Sequence, residues 1–258
     1  MNIIKRFIFC ALTFAGVTQA FSGITPVPVS KLEEYNKRTG GVVPPPTNSA
    51  KLLVIDARKP GSHSFTNNLA VCSRHMDFRY QLKLMHREKD DCPLTLARKE
   101  KKNGAAAVMF FFEDDDLPVL SVYPEEAITL LNTKPLYVND DATYRRRLNK
   151  EFWRSLAFTL GGYSGSPQAN TVLAPVFSIE DLDKLRTFSL SPHQLGAITY
   201  AKTRLRMYGE IPVPYLRACR EGWAPAPTND IQKAIWDKVH QLPAEPIKIK
   251  PETKKVER

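Results

Sequence analysis

Residues 144–165, YRRRLNKEFWRSLAFTLGGYSG, decide how the rest of the chain is read. Leu148, Phe152, Leu156 and Leu160 recur every fourth position, and Trp153 and Phe158 widen the stripe, while Arg145, Arg146, Arg147, Asn149 and Lys150 crowd the first turns. That spacing predicts a helix with one buried face. Gly161-Gly162 predicts its end, because glycine takes the left-handed backbone of a helix C-terminus without a Cβ clash. By periodicity alone this is a core helix closed by a sharp turn.

The flanking text adds to that reading. The run 145–183, RRRLNKEFWRSLAFTLGGYSGSPQANTVLAPVFSIEDLD, resembles the catalytic helix and following turn of the archaemetzincins, a branch of the metzincin zinc proteases. That family carries Lys-Glu, then HExxHxxGxxHC, a further cysteine, a turn methionine and a Phe-Ser stretch leading into acidic-Leu-Asp. Here Lys150-Glu151 match the Lys-Glu pair, Leu156, Thr159, Leu160 and Gly161 fit the spaces between ligands, and Phe177-Ser178 with Glu180, Leu182 and Asp183 fit the tail. The resemblance implies an α+β fold: a metzincin-like mixed β-sheet backed by helices, a long central helix, a cleft beneath an edge strand, and an irregular Pro-rich C-terminal part.

The ligands of that motif are absent. Arg154 falls on the first histidine, Ser155 on the general-base glutamate, Phe158 on the second histidine and Ser164 on the third. Gly165 takes the adjoining cysteine, Asn170 or Thr171 the next, and Leu173 the methionine; the CxxC of the family's second zinc site would lie near Ser191-Pro192-His193-Gln194. A catalytic zinc needs neutral nitrogen or carboxylate ligands, an open place for water and a base to take its proton. Serine supplies neither ligand nor base at neutral pH, phenylalanine has no lone pair, and arginine stays cationic and repels a metal. The expectation is a degenerate member: no catalytic residue, no metal, no cofactor, and a vestigial site at Arg154, Ser155, Phe158 and Ser164 whose frame binds a peptide or a partner protein.

The N-terminus predicts export. Lys5 and Arg6 precede an apolar run, Phe7 to Val17, too short to span a bilayer, and Thr18-Gln19-Ala20 offers small residues for a signal peptidase, so residues 1–20 read as a signal peptide. No later segment predicts a membrane span, and a periplasmic or extracellular location follows. The net charge is +10, of which Lys5 and Arg6 leave with the signal. In a cytoplasmic protein such an excess would suggest nucleic acid; on an exported chain it suggests a solvated basic face or an anionic envelope polymer, and no nucleic acid.

Cys72 and Cys92 bracket a polar loop that a disulfide could close, leaving Cys219 over. Unpaired thiols are one alternative and a metal cluster of Cys72, His75, His86 and Cys92 another, although its spacing matches no standard zinc module.

Residues 21–50, with VPPPT and VPV, read as an extended Pro-rich arm without a core of its own, 51–242 as a single domain, and 243–258 as a charged tail disordered in composition. LLVIDA predicts a first strand at 52–57 and AAAVMFFF, at 105–112, a buried central strand ending in the acidic loop 113–116. That loop lacks the alternation and glycine of a calcium loop. Between them LAVC favours a strand, FRYQLKLM a helix, and 93–103 a helix with a solvated face. Residues 117–123 and 136–138 suggest edge strands, with a helical turn from Pro124 through Leu131. Further helices are expected at 178–186, at 193–208, and after Thr228 as a cap, the last docking on the sheet through Ile231, Ala234, Ile235 and Val239. Trp223, in the proline-punctuated run before it, is a candidate peptide- or glycan-binding residue or a pin for an irregular wrap.

Two other functions fit the text. One is a working hydrolase, with metal at the Cys72-His75-His86-Cys92 cluster or a serine nucleophile at Ser164, where GYSGS lacks the last glycine of a nucleophile elbow and follows a helix rather than a strand. The other is a structural envelope protein unrelated to proteases.

Overall fold

The computed structural model describes residues 29–161, 171–186 and 190–241. The expected signal peptide and charged tail, and Gly162, Ser164, Gly165 and Asn170, lie outside them.

The chain opens with α1 (Val29–Thr39), β1 (Val42–Val43), β2 (Leu52–Asp56), α2 (Thr66–Met76), β3 (Tyr80–Leu84) and α3 (Pro93–Lys101). It continues through β4 (Ala107–Phe112), β5 (Leu120–Tyr123), β6 (Ile128–Asn132) and the long helix α4 (Asp141–Thr159). After these come α5 (Ile179–Lys184), α6 (Pro192–Arg204), β7 (Val213–Pro214), α7 (Tyr215–Arg220) and α8 (Asp230–Gln241).

The main sheet runs β3-β2-β4-β6-β5, all parallel except β5, which pairs antiparallel with β6 at one edge. It is a mixed sheet backed by helices, as expected. Strand β4 is central and buried along its whole length, so its run is apolar at every position. Its two faces separate cleanly: Ala107, Met109 and Phe111 join the core under α2 and α4, whereas Val108, Phe110 and Phe112 join the core under α3. The chain passes from β2 through α2 to β3 on one side, then through α3 back across β2 to β4. Travel in opposite directions with right-handed crossovers puts α2 and α3 on opposite faces.

Several expectations are corrected. Residues 66–76, with LAVC inside them, are helix: Leu69 and Cys72 face the core at helical spacing while Val71 points out. FRYQLKLM supplies a strand instead, because Phe78, Tyr80, Leu82 and Leu84 alternate with polar residues at a period of two. The helical turn at Pro124 stops at Glu126, where Ala127 takes a left-handed φ of 48°, and the apolar run behind it becomes β6, buried throughout. Residues 134–136 form a 3-10 turn rather than an edge strand.

The segment expected as an extended arm carries α1 over 29–39, and β1 pairs with β7. The helix formers of KLEEYNKR run uninterrupted between Pro26 and Pro28 on one side and Pro44 to Pro46 on the other. Gly40, at φ 76°, ends α1, and its carbonyl accepts from Gln232 Nε2 at 2.9 Å, tying the arm to α8. Helix α8 does not dock on the sheet. Ile235 and Val239 pack in a third core with Val43, Tyr215 and Ala218. Its first turn is held by Asn229, whose Oδ1 accepts from Gln232 N at 2.9 Å, while Thr228 bonds to Gln232 Oε1.

Cys72 and Cys92 are free thiols. Cys72 is buried on α2 under one face of the sheet, and exposed Cys92 precedes α3, which packs on the other, so the sheet stands between them. His75 and His86 are both exposed, and His86 pairs with Glu88 at 3.0 Å, so these four residues form no cluster.

Helix α4 starts at Asp140, whose Oδ2 accepts from Thr143 N at 3.1 Å, and ends at Gly161 with φ 110°. A Cβ on Gly161 would lie 2.5 Å from Ala201 Cβ and 3.3 Å from Ala197 O, so α4 ends directly against α6. Positive φ and overpacking together predict that Gly161→Ala loses about 2–4 kcal/mol of stability. Urea unfolding tests this; a variant within about 0.5 kcal/mol of the parent would contradict the close packing.

Candidate functional site

Helix α4 presents a charged stripe that the sequence disguises as a solvated surface. Arg147, Lys150, Glu151, Arg154 and Phe158 recur at three- and four-residue spacing, which places them on one side of the helix. That side faces the returning segment 171–186. Arg147 forks onto Asp183, Nε–Oδ1 3.0 Å and Nη2–Oδ2 2.6 Å, and holds that carboxyl below its usual range. Lys150 Nζ donates to Leu182 O at 2.7 Å and Asp183 O at 3.1 Å, the last carbonyls of α5, which a helix leaves without internal partners. Burial lowers the pKa of this ammonium.

Arg154 lies deeper, its side chain 6% exposed. Its Nη1 donates to the carbonyls of both Val172 and Ala174 at 2.8 Å, bridging α4 to the segment that carries buried Leu173. The guanidinium carbon is 5.8 Å from the centroid of half-buried Phe158. Its counter-ion is Glu151, 2% exposed, with Oε1 3.0 Å from Arg154 Nε but not aligned as a hydrogen bond. Burial pushes the Glu151 carboxyl up to about 7 against the opposing pull of Arg154.

Glu151 Oε2, Arg154 Nε and Ser155 Oγ are buried without hydrogen-bond partners, and they make up three of the four such atoms among the described residues. Polar atoms in that condition cost stability, and among the described residues that cost is concentrated on this turn of α4. Next to it, Thr159 Oγ1 lies 2.7 Å from Ser155 O and from Thr129 Oγ1 of β6, fixing the helix to the sheet.

The structure therefore gathers Arg154, Ser155 and Phe158 on one stretch of α4, while Ser164 falls outside the described residues. This set does not fit a metal: one member is a permanent cation, one a hydroxyl and one a hydrocarbon. Among the described residues, no group of three or more His, Cys, Asp or Glu is placed to hold a metal ion. The guanidinium is committed to protein carbonyls through Nη1.

Trp223 lies elsewhere, packed on the third core. Its Nε1 donates to Glu221 Oε2 at 2.7 Å and its ring stacks obliquely on Tyr208 at 5.0 Å, beside a cavity of about 20 Å³ that has room for one water. The indole thus spends its hydrogen bond inside the molecule.

Two buried polar features escape sequence reasoning. The clamp by Arg147 and Lys150 is one: the sequence shows these two as basic residues of the first turns, and Lys150 as half of the Lys-Glu match, but not the contacts they make. Arg58, with a fully buried side chain, forks onto Asp56 (Nε–Oδ1 2.8 Å, Nη2–Oδ2 2.6 Å) and lies 4.4 Å over the Phe65 ring at the end of β2. No motif announces that pair.

No family model matches the sequence, and no curated protein matches it. Solved structures do. The archaemetzincin of Methanopyrus kandleri aligns at 14% identity and TM-score 0.46, over 60% of this chain and 97% of its own. A zinc-dependent peptidase of Methanocorpusculum labreanum aligns at 11% identity and TM-score 0.44, over 56% and 99%. The archaemetzincin of Archaeoglobus fulgidus, complexed with malonate, aligns at 14% identity and TM-score 0.40, over 57% and 99%. No helix among the described residues is long and apolar enough to cross a membrane.

Proposed function

We propose that this chain is an exported, catalytically inactive archaemetzincin-like protein that works as a binding module for a peptide or a partner protein. The observation that carries the reading is Arg154. At the position where the resembled motif has its first zinc ligand stands a buried cation, bonded to Val172 O and Ala174 O at 2.8 Å and paired with Glu151. A guanidinium there supplies the positive charge that links helix to turn and excludes a second cation from the same space. Ser155, in the place of the general base, cannot take a proton from water at neutral pH. Export rests on the basic start, apolar run and small-residue site of residues 1–20.

The test uses the mature chain, incubated with zinc, dialysed, and assayed for bound metal and for cleavage of a fluorogenic peptide library. The expected result is neither stoichiometric zinc nor hydrolysis. Zinc bound at one per chain, with cleavage lost to a chelator, would overturn the reading. So would metal and activity lost together on replacing His75 or His86 with alanine, or metal-free cleavage abolished by Ser164→Ala, either of which would favour a hydrolase with a relocated site.

A further inference from the structure

At the sheet edge opposite β5, strand β3 is paired on one side only among the described residues. Its inner side bonds to β2: Leu52 N–H donates to Arg79 O at 2.9 Å and Met85 N–H to Asp56 O at 3.0 Å. In a parallel ladder this register turns the backbone groups of residues 79, 81, 83 and 85 inward and those of Tyr80, Leu82 and Leu84 outward. Nothing among the described residues pairs with that outer row. The strand has no proline, and no bulge interrupts its register with β2, while Leu82 and Leu84 are 39% and 76% exposed. An extended, partly apolar edge of this kind templates another strand unless something covers it.

The chemistry of the occupant is set by the two faces. Leu82 and Leu84 share the α2 face with Tyr80, so an added strand would cover them with apolar residues. On the other face Gln81 and Lys83 border a groove of about 720 Å³, walled also by Lys51, Glu100 and Asn103. Glu100 is nearly buried and already held by Lys83 at 2.6 Å, whereas Lys51, and Lys99 and Lys102 at the end of α3, make no ion pair among the described residues. The uncompensated charge around the groove is therefore positive, and Lys83 retains ammonium hydrogens for a second acceptor. A second copy of this chain, basic even without Lys5 and Arg6, would bring like charge to the edge.

We propose that the outer edge of β3 and its adjoining groove bind an extended acidic peptide segment of a partner protein, added to the sheet as a sixth strand. Main-chain bonds to Leu82 and its neighbours supply affinity; alternate carboxylates toward Lys51 and Lys83 and alternate apolar residues over Leu82 and Leu84 supply selectivity. The site gives a surface to the binding part of the proposed function. It fails separately from that reading: zinc or hydrolysis at α4 would leave it standing.

The test titrates the full chain into a labelled, short alternating Glu-Val peptide and into its Lys-Val counterpart, at low and high salt, with anisotropy as the readout. Leu82→Pro removes one outward N–H, which an edge strand tolerates, and Lys51→Glu reverses one groove charge. The Glu-Val peptide is expected to bind, with salt weakening it and each variant about tenfold poorer, and the Lys-Val peptide is expected not to bind. Thermal melts establish that the variants fold; if Leu82→Pro does not, Lys51→Glu and the two peptides still decide. Equal binding of both peptides, no binding, indifference to the variants, or a dimer formed through this edge would each overturn the proposal.

Discussion

Arg154→Met is expected to lower the unfolding free energy by about 3–5 kcal/mol above neutral pH, because it breaks a buried ion pair and keeps only one of its charges. Methionine fills much of the volume, so the loss is electrostatic. Glu151, 2% exposed, would have either to carry an unpaired charge in the core or to take up a proton, since its carboxyl loses the one partner that lowers it, and the Val172 and Ala174 carbonyls would lose their donor. The damage should be local before it is global. Hydrogen exchange at residues 171–176 is expected to accelerate by more than that of β4, since the segment's link to α4 runs through this guanidinium. Arg154→Lys should recover only part of the loss, since a single ammonium on a shorter stem cannot reach both carbonyls in the same geometry. If Arg154→Met costs less than about 1 kcal/mol, or loosens β4 as much as 171–176, the clamp is not what joins helix to turn.

The frame was legible where one physical signal dominated. The all-apolar run of β4 is possible only for a strand covered on both faces, and the four-residue recurrence of Leu148, Phe152, Leu156 and Leu160 only for a buried helix face. Both were read correctly, as was α3. The failures came where two signals overlap. LAVC is a β-prone tetrapeptide, but burial of Leu69 and Cys72 with exposure of Val71 is a helical pattern that emerges only over the full turn. At Pro124-Glu125-Glu126 the sequence has every mark of a helix start, and the left-handed Ala127 that stops it leaves no compositional trace.

The site was half legible. Resemblance of motif singled out Arg154, Ser155 and Phe158 as the positions to watch, but what Arg154 does depends on carbonyls some twenty residues away in sequence, which no local pattern encodes. Arg147 and Lys150 stood out only as basic residues crowding the first turns, Lys150 also as half of the Lys-Glu match, and neither showed its partners. Long basic side chains can bury their stems while reaching for distant backbone oxygens, so their exposure cannot be inferred from their type.

The same core carries a pH dependence whose sign can be worked out. Burial raises the Glu151 carboxyl from 4.5 to about 7 in the folded chain, so the native state holds this proton more tightly than the unfolded one. Stability from this group is full below the unfolded value and is lost as pH rises through about 7; ionisation costs on the order of 3 kcal/mol once complete. Among the described residues, Arg154 is the charge that acts on Glu151, while Arg147, on the same side of α4, is committed to Asp183 of α5 and Lys150 to carbonyls. Glu151→Gln should therefore match the parent in mild acid and exceed it above neutrality, and the difference between the two urea-unfolding curves isolates this residue from every other titration. A parent that gains on Glu151→Gln as pH rises would reverse the sign and imply that the Arg154 pair outweighs desolvation. A difference flat across the window would mean that the carboxyl is ionised throughout, and that the partnerless Oε2 atom is reached by water after all.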